Sequence, residues 1–149
     1  MDYNYLLKGQ TALITAGADG IGYGIAKRFE EAGAKVFVCD INKEAVSSVN
    51  SKHSNIKAVV CDLRQTQLIS SMVESAFDYL GKLNIIVNNA GIAGETAGVG
   101  EQTLGGWQEC LHRGCLCARR RGHQWCQAAA DVLDGHGAGD CCRSWFGHL

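Results

Sequence analysis

The chain has 149 residues, of which 46% are hydrophobic and 19% charged, and its formal net charge is −1. This is enough for one domain of ordinary size with a soluble composition, and the near-neutral balance gives no overall electrostatic pull toward nucleic acid or a membrane surface. No apolar run approaches the roughly 20 residues of a membrane span, and the opening Met1-Asp2-Tyr3-Asn4-Tyr5 lacks the basic and apolar regions of a secretory signal, so a cytoplasmic setting is expected.

The first apolar run, Ala12-Leu13-Ile14, is a predicted strand, and a glycine-rich turn, Thr15-Ala16-Gly17-Ala18-Asp19-Gly20-Ile21-Gly22, follows it. Ile21, Ile25, Phe29 and Ala32 then fall at helical spacing, and Gly33 is a stop signal. A second run, Val36-Phe37-Val38-Cys39, ends on Asp40. A short helix fits Lys43 to Ser51, with Ala45, Val46 and Val49 inward, and Ala58-Val59-Val60-Cys61 is the third predicted strand. Leu68, Ile69, Met72, Val73, Ala76, Phe77 and Leu80 trace a further helical stripe, stopped by Gly81, and Ile85-Ile86-Val87 is the fourth strand. Continuously apolar strands are buried on both faces, as in a parallel sheet. The order is β-α-β-α-β-α-β, with right-handed crossovers expected.

The glycine turn carries the chemistry. Between a strand and a helix, such a turn lets backbone N–H groups approach a pyrophosphate closely. Asp40 lies 18 residues after Gly22, at the end of the next predicted strand, where an acidic side chain can take a ribose 2′-hydroxyl.

From about Leu7 to Trp107 the sequence resembles the short-chain dehydrogenase/reductase family. Thr15 to Gly22 is similar to the family's T-G-x-x-x-G-I-G turn, with Ala16 where the first glycine usually stands. Cys61-Asp62-Leu63 resembles the segment whose acidic residue holds the adenine amino group, and Asn88-Asn89-Ala90-Gly91 resembles the family's N-N-A-G. Each motif ends a predicted strand, the edge at which open α/β sheets bind ligands. The resemblance implies a Rossmann-like, doubly wound parallel sheet of about four strands in the order 3-2-1-4, an incomplete version of the family's sheet. It places a nucleotide-binding domain at 1–108, and its cofactor-facing set is Gly17, Asp19, Gly20, Ile21, Gly22, Asp40, Asp62, Leu63, Asn88, Asn89, Ala90 and Gly91. Asp62 also reads as an ordinary helix-start residue, and Asn88 and Asn89 as residues that satisfy the sheet's own backbone.

NAD(H) is favoured over NADP(H). Asp40 repels a 2′-phosphate, Ile41 and Asn42 supply no balancing charge, Asp19 adds a second negative group, and Lys43 begins the next helix. The reaction that the resemblance implies is hydride transfer between nicotinamide and a small-molecule alcohol or ketone. It needs a tyrosine whose pKa is lowered by a lysine four residues on, since free tyrosine titrates near 10. No tyrosine follows Tyr79, no asparagine follows Asn89, and Ser144 is the only serine after Ser75. The literal match Tyr23-x-x-x-Lys27 falls in the helix under the pyrophosphate and lacks the required context. Weak or absent catalysis is therefore expected, and a non-catalytic nucleotide-binding module is the competing class. A homo-oligomer is compatible with this reading.

Residues 93–149 differ in character. They contain no Ile, Lys, Tyr, Asn or Met, yet hold six of the eight Cys, four of the five His and five of the seven Arg. We read 109–149 as an atypical Cys/Gly/Arg-rich tail. Its bias toward residues with G/C-rich codons matches a shifted reading frame that begins between Leu104 and Cys115. Cys110, His112, Cys115, Cys117, His123 and Cys126 lack the paired arms of a zinc site, so no metal site is expected. Arg119-Arg120-Arg121 reads as a solvated run and Cys39 and Cys61 as small core residues. A chain that stops after the fourth strand leaves the outer edge of that strand open to pairing.

Overall fold

The computed structural model describes residues 6–91, 101 and 103–105. Within them the elements are β1 (Thr11–Thr15), α1 (Gly20–Glu31), β2 (Lys35–Asp40), α2 (Lys43–Lys52), β3 (Ile56–Val60), α3 (Thr66–Leu80) and β4 (Ile85–Val87). They form one parallel four-stranded sheet in the order β3-β2-β1-β4, the Rossmann-like order expected from the sequence. The tail 109–149, with its cysteines, histidines and Ser144, lies outside the described residues, as does most of the stretch that follows Gly91.

The core has two layers, one on each face of the sheet. Leu13, Phe37 and Cys39 pack with the α3 stripe of Ile69, Met72, Val73, Ala76, Phe77 and Leu80. Ile14, Val36 and Val38 pack with Ala26 of α1 and Val46 and Val49 of α2. Each large apolar side chain so buried contributes about 1.5–3 kcal/mol. β1 and β2 are therefore central strands, buried on both faces.

β3 departs from the expectation that all four strands are buried on both faces. Its residues alternate, Lys57 and Val60 are exposed, and it begins at Ile56. The cause is its position at the sheet edge, where, among the described residues, one flank has no strand neighbour. There the Asn50 side chain on α2 accepts from the Ala58 N–H and donates to the Ala58 C=O, both at 2.9 Å. One carboxamide thus stands in for a neighbouring strand and blunts part of the edge.

β4 is only three residues long and half-buried, and a threonine–asparagine clasp holds each of its ends. Below it, Thr11 Oγ1 donates to the Lys82 carbonyl at 2.7 Å, while the Thr11 N–H donates to Asn84 Oδ1 at 3.1 Å. Above it, Thr15 Oγ1 accepts from the N–H groups of Asn89 and Ala90, both at 3.0 Å. Among the described residues, β4 pairs with β1 alone.

Candidate functional site

The glycine turn leaves β1 at the C-terminal edge of the sheet and enters α1. Each of its glycines has its own physical reason. The Gly17 N–H donates to the Cys39 carbonyl at 3.1 Å, and a Cβ there would lie 2.7 Å from Val38 Cβ, so the turn can lie against β2 only without a side chain. Gly20 has φ +54 with open space before it, the left-handed region that glycine enters at little cost. At Gly22 a Cβ would overlap the Ala16 carbonyl and come within 2.5 Å of Asn89 Nδ2. That residue and Ala26 form the buried face of α1. Ile21 points outward and is 78% exposed, whereas helical spacing alone puts it on the packed stripe. The reason is that α1 approaches the sheet through its smallest residues.

Asp19 is the N-cap of α1, its carboxylate accepting from the Gly20 N–H at 2.7 Å. The first intrahelical bond runs from the Tyr23 N–H to the Asp19 carbonyl. The N–H groups of Ile21 and Gly22 precede it and lie in the first turn, where the helix dipole favours an anion.

Asp40 is 9% exposed and ends β2. Its Oδ2 accepts from the Ala18 N–H and its Oδ1 from the Asn42 N–H, both at 3.1 Å. Asn42 in turn caps α2, accepting from the N–H groups of Glu44 and Ala45, and Lys43 is the first residue of that helix. A carboxylate offers about four acceptor positions, so two remain on Asp40.

From the β4 side, Asn89 Nδ2 donates to the carbonyls of Thr15 and Ala16, at 3.2 and 2.9 Å. Asn88 Oδ1 is buried and has no hydrogen-bond partner among the described residues. Gly91, three residues on, is exposed. Thus the Asn89 amide holds two backbone carbonyls and the Ala90 N–H is tied to the Thr15 hydroxyl, while Asn88 keeps an acceptor in reserve. Thr15 is central to this arrangement, although the motifs do not single it out. Its signal in the sequence is the spacing of Thr11 and Thr15 at the two ends of β1, matched by Asn84 and Asn89 around β4.

Asp62 and Leu63 follow β3 at the same edge, since the Cys61 N–H donates to the Asp40 carbonyl at 2.8 Å. Leu63 packs against the α3 side of the core. The Asp62 side chain is engaged: Oδ1 accepts from the Arg64 N–H and Nε, and Oδ2 from Arg64 Nε and Nη2. These hydrogen bonds hold its carboxyl down at about 2. Burial pushes the Cys39 thiol up to about 12 and raises that of Cys61 as well, so both behave as protonated core residues.

The Tyr23-x-x-x-Lys27 match is built into the scaffold. The Tyr23 hydroxyl meets His53 Nε2 at 2.9 Å, and His53 Nδ1 meets Glu30 Oε2 at 2.5 Å. This chain of side chains ties α1 to the end of α2, and Lys27 is exposed. A concave groove between β3 and α3, bordered by Val60, Leu68 and Met72, lies apart from the glycine turn. Its serines, Ser71 and Ser75, donate to their own helix backbone. Among the described residues, no group of three or more His, Cys, Asp or Glu side chains is placed to hold a metal ion, and no helix is long and apolar enough to cross a membrane.

Fold and site together define an open, parallel α/β domain whose glycine turn, acidic β2 terminus and asparagine-bearing β4 terminus converge at one sheet edge. The family model described as short chain dehydrogenase matches residues 10–118, and the chain belongs to that family. It is similar to 3beta-hydroxysteroid dehydrogenase 2 of Eggerthella lenta, 35% identical over 113 residues that make up 73% of this chain and 44% of the relative. A tropinone reductase homolog of Arabidopsis thaliana is 39% identical over 62% of this chain and 32% of its own length. The chain thus spans less than half the length of these curated relatives. Among solved structures, a 3-ketoacyl-(acyl-carrier-protein) reductase from Brucella melitensis complexed with NADH superposes with a TM-score of 0.72 at 26% identity, covering 93% of this chain and 54% of that one. A short chain dehydrogenase from Mycobacterium smegmatis gives 0.71 at 27% identity, covering 91% and 56%.

Proposed function

We propose that this chain binds a nicotinamide dinucleotide across the C-terminal ends of β1, β2 and β4, with NAD(H) preferred over NADP(H). The observation that carries the reading is the bond from the Ala18 N–H to Asp40 Oδ2, which sets the ribose-binding carboxylate against the phosphate-binding turn. The family and the NADH carried by the Brucella melitensis structure support it.

The residues present fit such a group. Ile21 and Gly22 offer first-turn N–H groups to the pyrophosphate, and Gly20 leaves open space before them. The two unused acceptor positions of Asp40 suit the two hydroxyls of a ribose, and its charge opposes a 2′-phosphate. The unpartnered Asn88 Oδ1 offers a buried acceptor beyond β4. Asp62 and Leu63 flank the adenine end, and Asn89, Ala90 and Gly91 shape the floor.

When bound, the nicotinamide gives or takes a hydride, and the partner in the parent reaction is an alcohol or ketone. That reaction also needs a group that moves the hydroxyl proton. The sequence after Tyr79 holds no tyrosine, and the Tyr23 hydroxyl is held by His53. We therefore infer that the residues from Thr11 to Gly91 supply the binding half of the reaction, in a cytoplasmic setting where NAD(H) is available.

Titration of the purified chain with NADH and NADPH, followed by cofactor fluorescence, tests the reading. Saturable NADH binding, at least about tenfold tighter than NADPH, is expected. Folded protein that binds neither dinucleotide overturns it.

A further inference from the structure

We infer that His53 positions the phosphate-binding turn by holding Tyr23. It acts through that side chain and is a positioning residue, not a catalytic one. The inference rests on the dinucleotide reading above and concerns the same site.

The first turn of α1 has few side chains to hold it. Of the five residues from Gly20 to Gly24, three are glycines, which are poor helix formers, and Ile21 is 78% exposed. Tyr23 is therefore the side chain through which this stretch reaches the rest of the fold. Its ring packs against the core layer under α1 and α2 and meets the His53 ring edge-on, with centroids 5.7 Å apart. Its hydroxyl lies 2.9 Å from His53 Nε2. The Tyr23 N–H makes the first intrahelical bond, to the Asp19 carbonyl at 3.1 Å. A shift of Tyr23 thus shifts the turn that carries the Ile21 and Gly22 N–H groups.

His53 is itself fixed on its other side. Its Nδ1 meets Glu30 Oε2 at 2.5 Å, and Glu30 Oε1 accepts from the Asn55 N–H at 3.2 Å. The His53 and Glu30 side chains are only 12% and 18% exposed, so water competes little for these bonds. An ionised carboxylate only accepts, which makes Nδ1 the donor to Glu30. Nε2 then faces a hydroxyl that can donate or accept, so the contact with Tyr23 holds in either charge state of the ring. Tyr23 and Glu30 stand in the first and last turns of α1, about 10 Å apart along the axis. His53 straps those turns together from outside the helix and offsets the glycines at its start.

The test separates the two bonds of His53. His53→Gln keeps a polar group near the place of Nε2 and so a partner for Tyr23, whereas His53→Asn keeps one near the place of Nδ1 and so a partner for Glu30. Each variant loses one bond, and their urea midpoints should fall by similar amounts. Their NADH affinities, measured by direct binding to folded protein, should differ. Tyr23→Phe and His53→Asn should weaken NADH by about threefold to tenfold, and His53→Gln should stay within about twofold of the wild type. In the ligand-free chain, solvent exchange of the Tyr23 N–H should speed up in Tyr23→Phe and His53→Asn alone. Equal NADH affinities in the two His53 variants, or wild-type affinity and exchange in Tyr23→Phe, overturn the inference and leave the dinucleotide reading intact. A wild-type chain that binds no NADH overturns the dinucleotide reading and the positioning role with it, even where the exchange pattern shows the strap in place.

Discussion

Asn89 holds Ala16 in a left-handed backbone conformation. Ala16 has φ 50, the only positive value at a non-glycine among the described residues, and its carbonyl accepts from Asn89 Nδ2 at 2.9 Å. The same amide donates to the Thr15 carbonyl, so one side chain beyond the C-terminal end of β4 stabilises the bend that starts the glycine turn.

The strain at position 16 is removable. A left-handed alanine costs about 1–2 kcal/mol, and glycine gives back part of that gain as unfolded-chain entropy. Ala16→Gly should stabilise the chain by about 0.5–1 kcal/mol. Asn89→Ala should destabilise it by about 1–3 kcal/mol, because two carbonyls lose their donor, and less in the Ala16→Gly background. Urea midpoints of the four proteins check both values, and strict additivity would show that the amide does not hold the bend.

Gly22 and Gly20 should respond differently to alanine. At Gly22 the added methyl meets the Ala16 carbonyl and the Asn89 amide, which are held together by their own hydrogen bond. Gly22→Ala should cost about 2–3 kcal/mol and abolish NADH binding. At Gly20 there is space and only the backbone angle to overcome, so Gly20→Ala should cost about 1 kcal/mol and weaken binding without abolishing it. Thermal unfolding with and without NADH separates the two, and equal effects would contradict the packing described at Gly22.

Much of this fold is legible in the sequence, for a definable reason. Apolar runs and helical stripes report burial, and burial decides where β1, β2 and α3 lie. The alternation of β3 is hidden because Val59 and Val60 are both apolar, although one is half-buried and the other exposed; edge position is a property of the whole sheet. Ile21 is hard to place because periodicity cannot tell a packed isoleucine from a glycine face. The partnership of Asp62 with Arg64, the role of Asn50 at the β3 edge and the link from Tyr23 through His53 to Glu30 depend on where side chains meet in space. The motifs mark Asp40 and Asn89 as important. They do not show that both hold the turn.

On the proposed reading, Asp40 couples structure to cofactor choice. Asp40→Ser removes the negative charge and keeps an acceptor near the Ala18 and Asn42 N–H groups. The ratio of NADPH to NADH affinity should rise at least about tenfold, which corresponds to about 1.4 kcal/mol, with stability reduced by about 1 kcal/mol. Parallel titrations with both dinucleotides measure the ratio. An unchanged preference would mean that Asp40 serves the turn alone.

Cys39 makes the fold sensitive to alkali. Burial first, then the neighbouring Cys61 and Asp40, push its thiol from 9.0 up to about 12. The unfolded chain therefore loses this proton first, and stability should fall as pH rises from about 9 toward about 12, by up to about 1.4 kcal/mol per pH unit for one proton. Tyr79, raised by burial and then by the charge of Glu30, adds in the same direction. Denaturation midpoints at pH 8, 10 and 11 should drop less steeply in Cys39→Ala than in the wild type. Identical slopes would place the alkaline sensitivity elsewhere.

The clasp between Thr15 and Asn89 also bears on how the chain is made. Its two halves are 74 residues apart, and closing so long a loop carries an entropic cost that only the completed sheet can offset. A ribosome that has released β1, α1 and β2 has delivered every glycine of the turn and Asp40, yet the bend at Ala16 still waits for its amide. Nascent chains halted before β4 should therefore hold the glycine turn and Asp40 without the shape that gives them meaning, and the proposed capacity to bind should arrive in one step during synthesis.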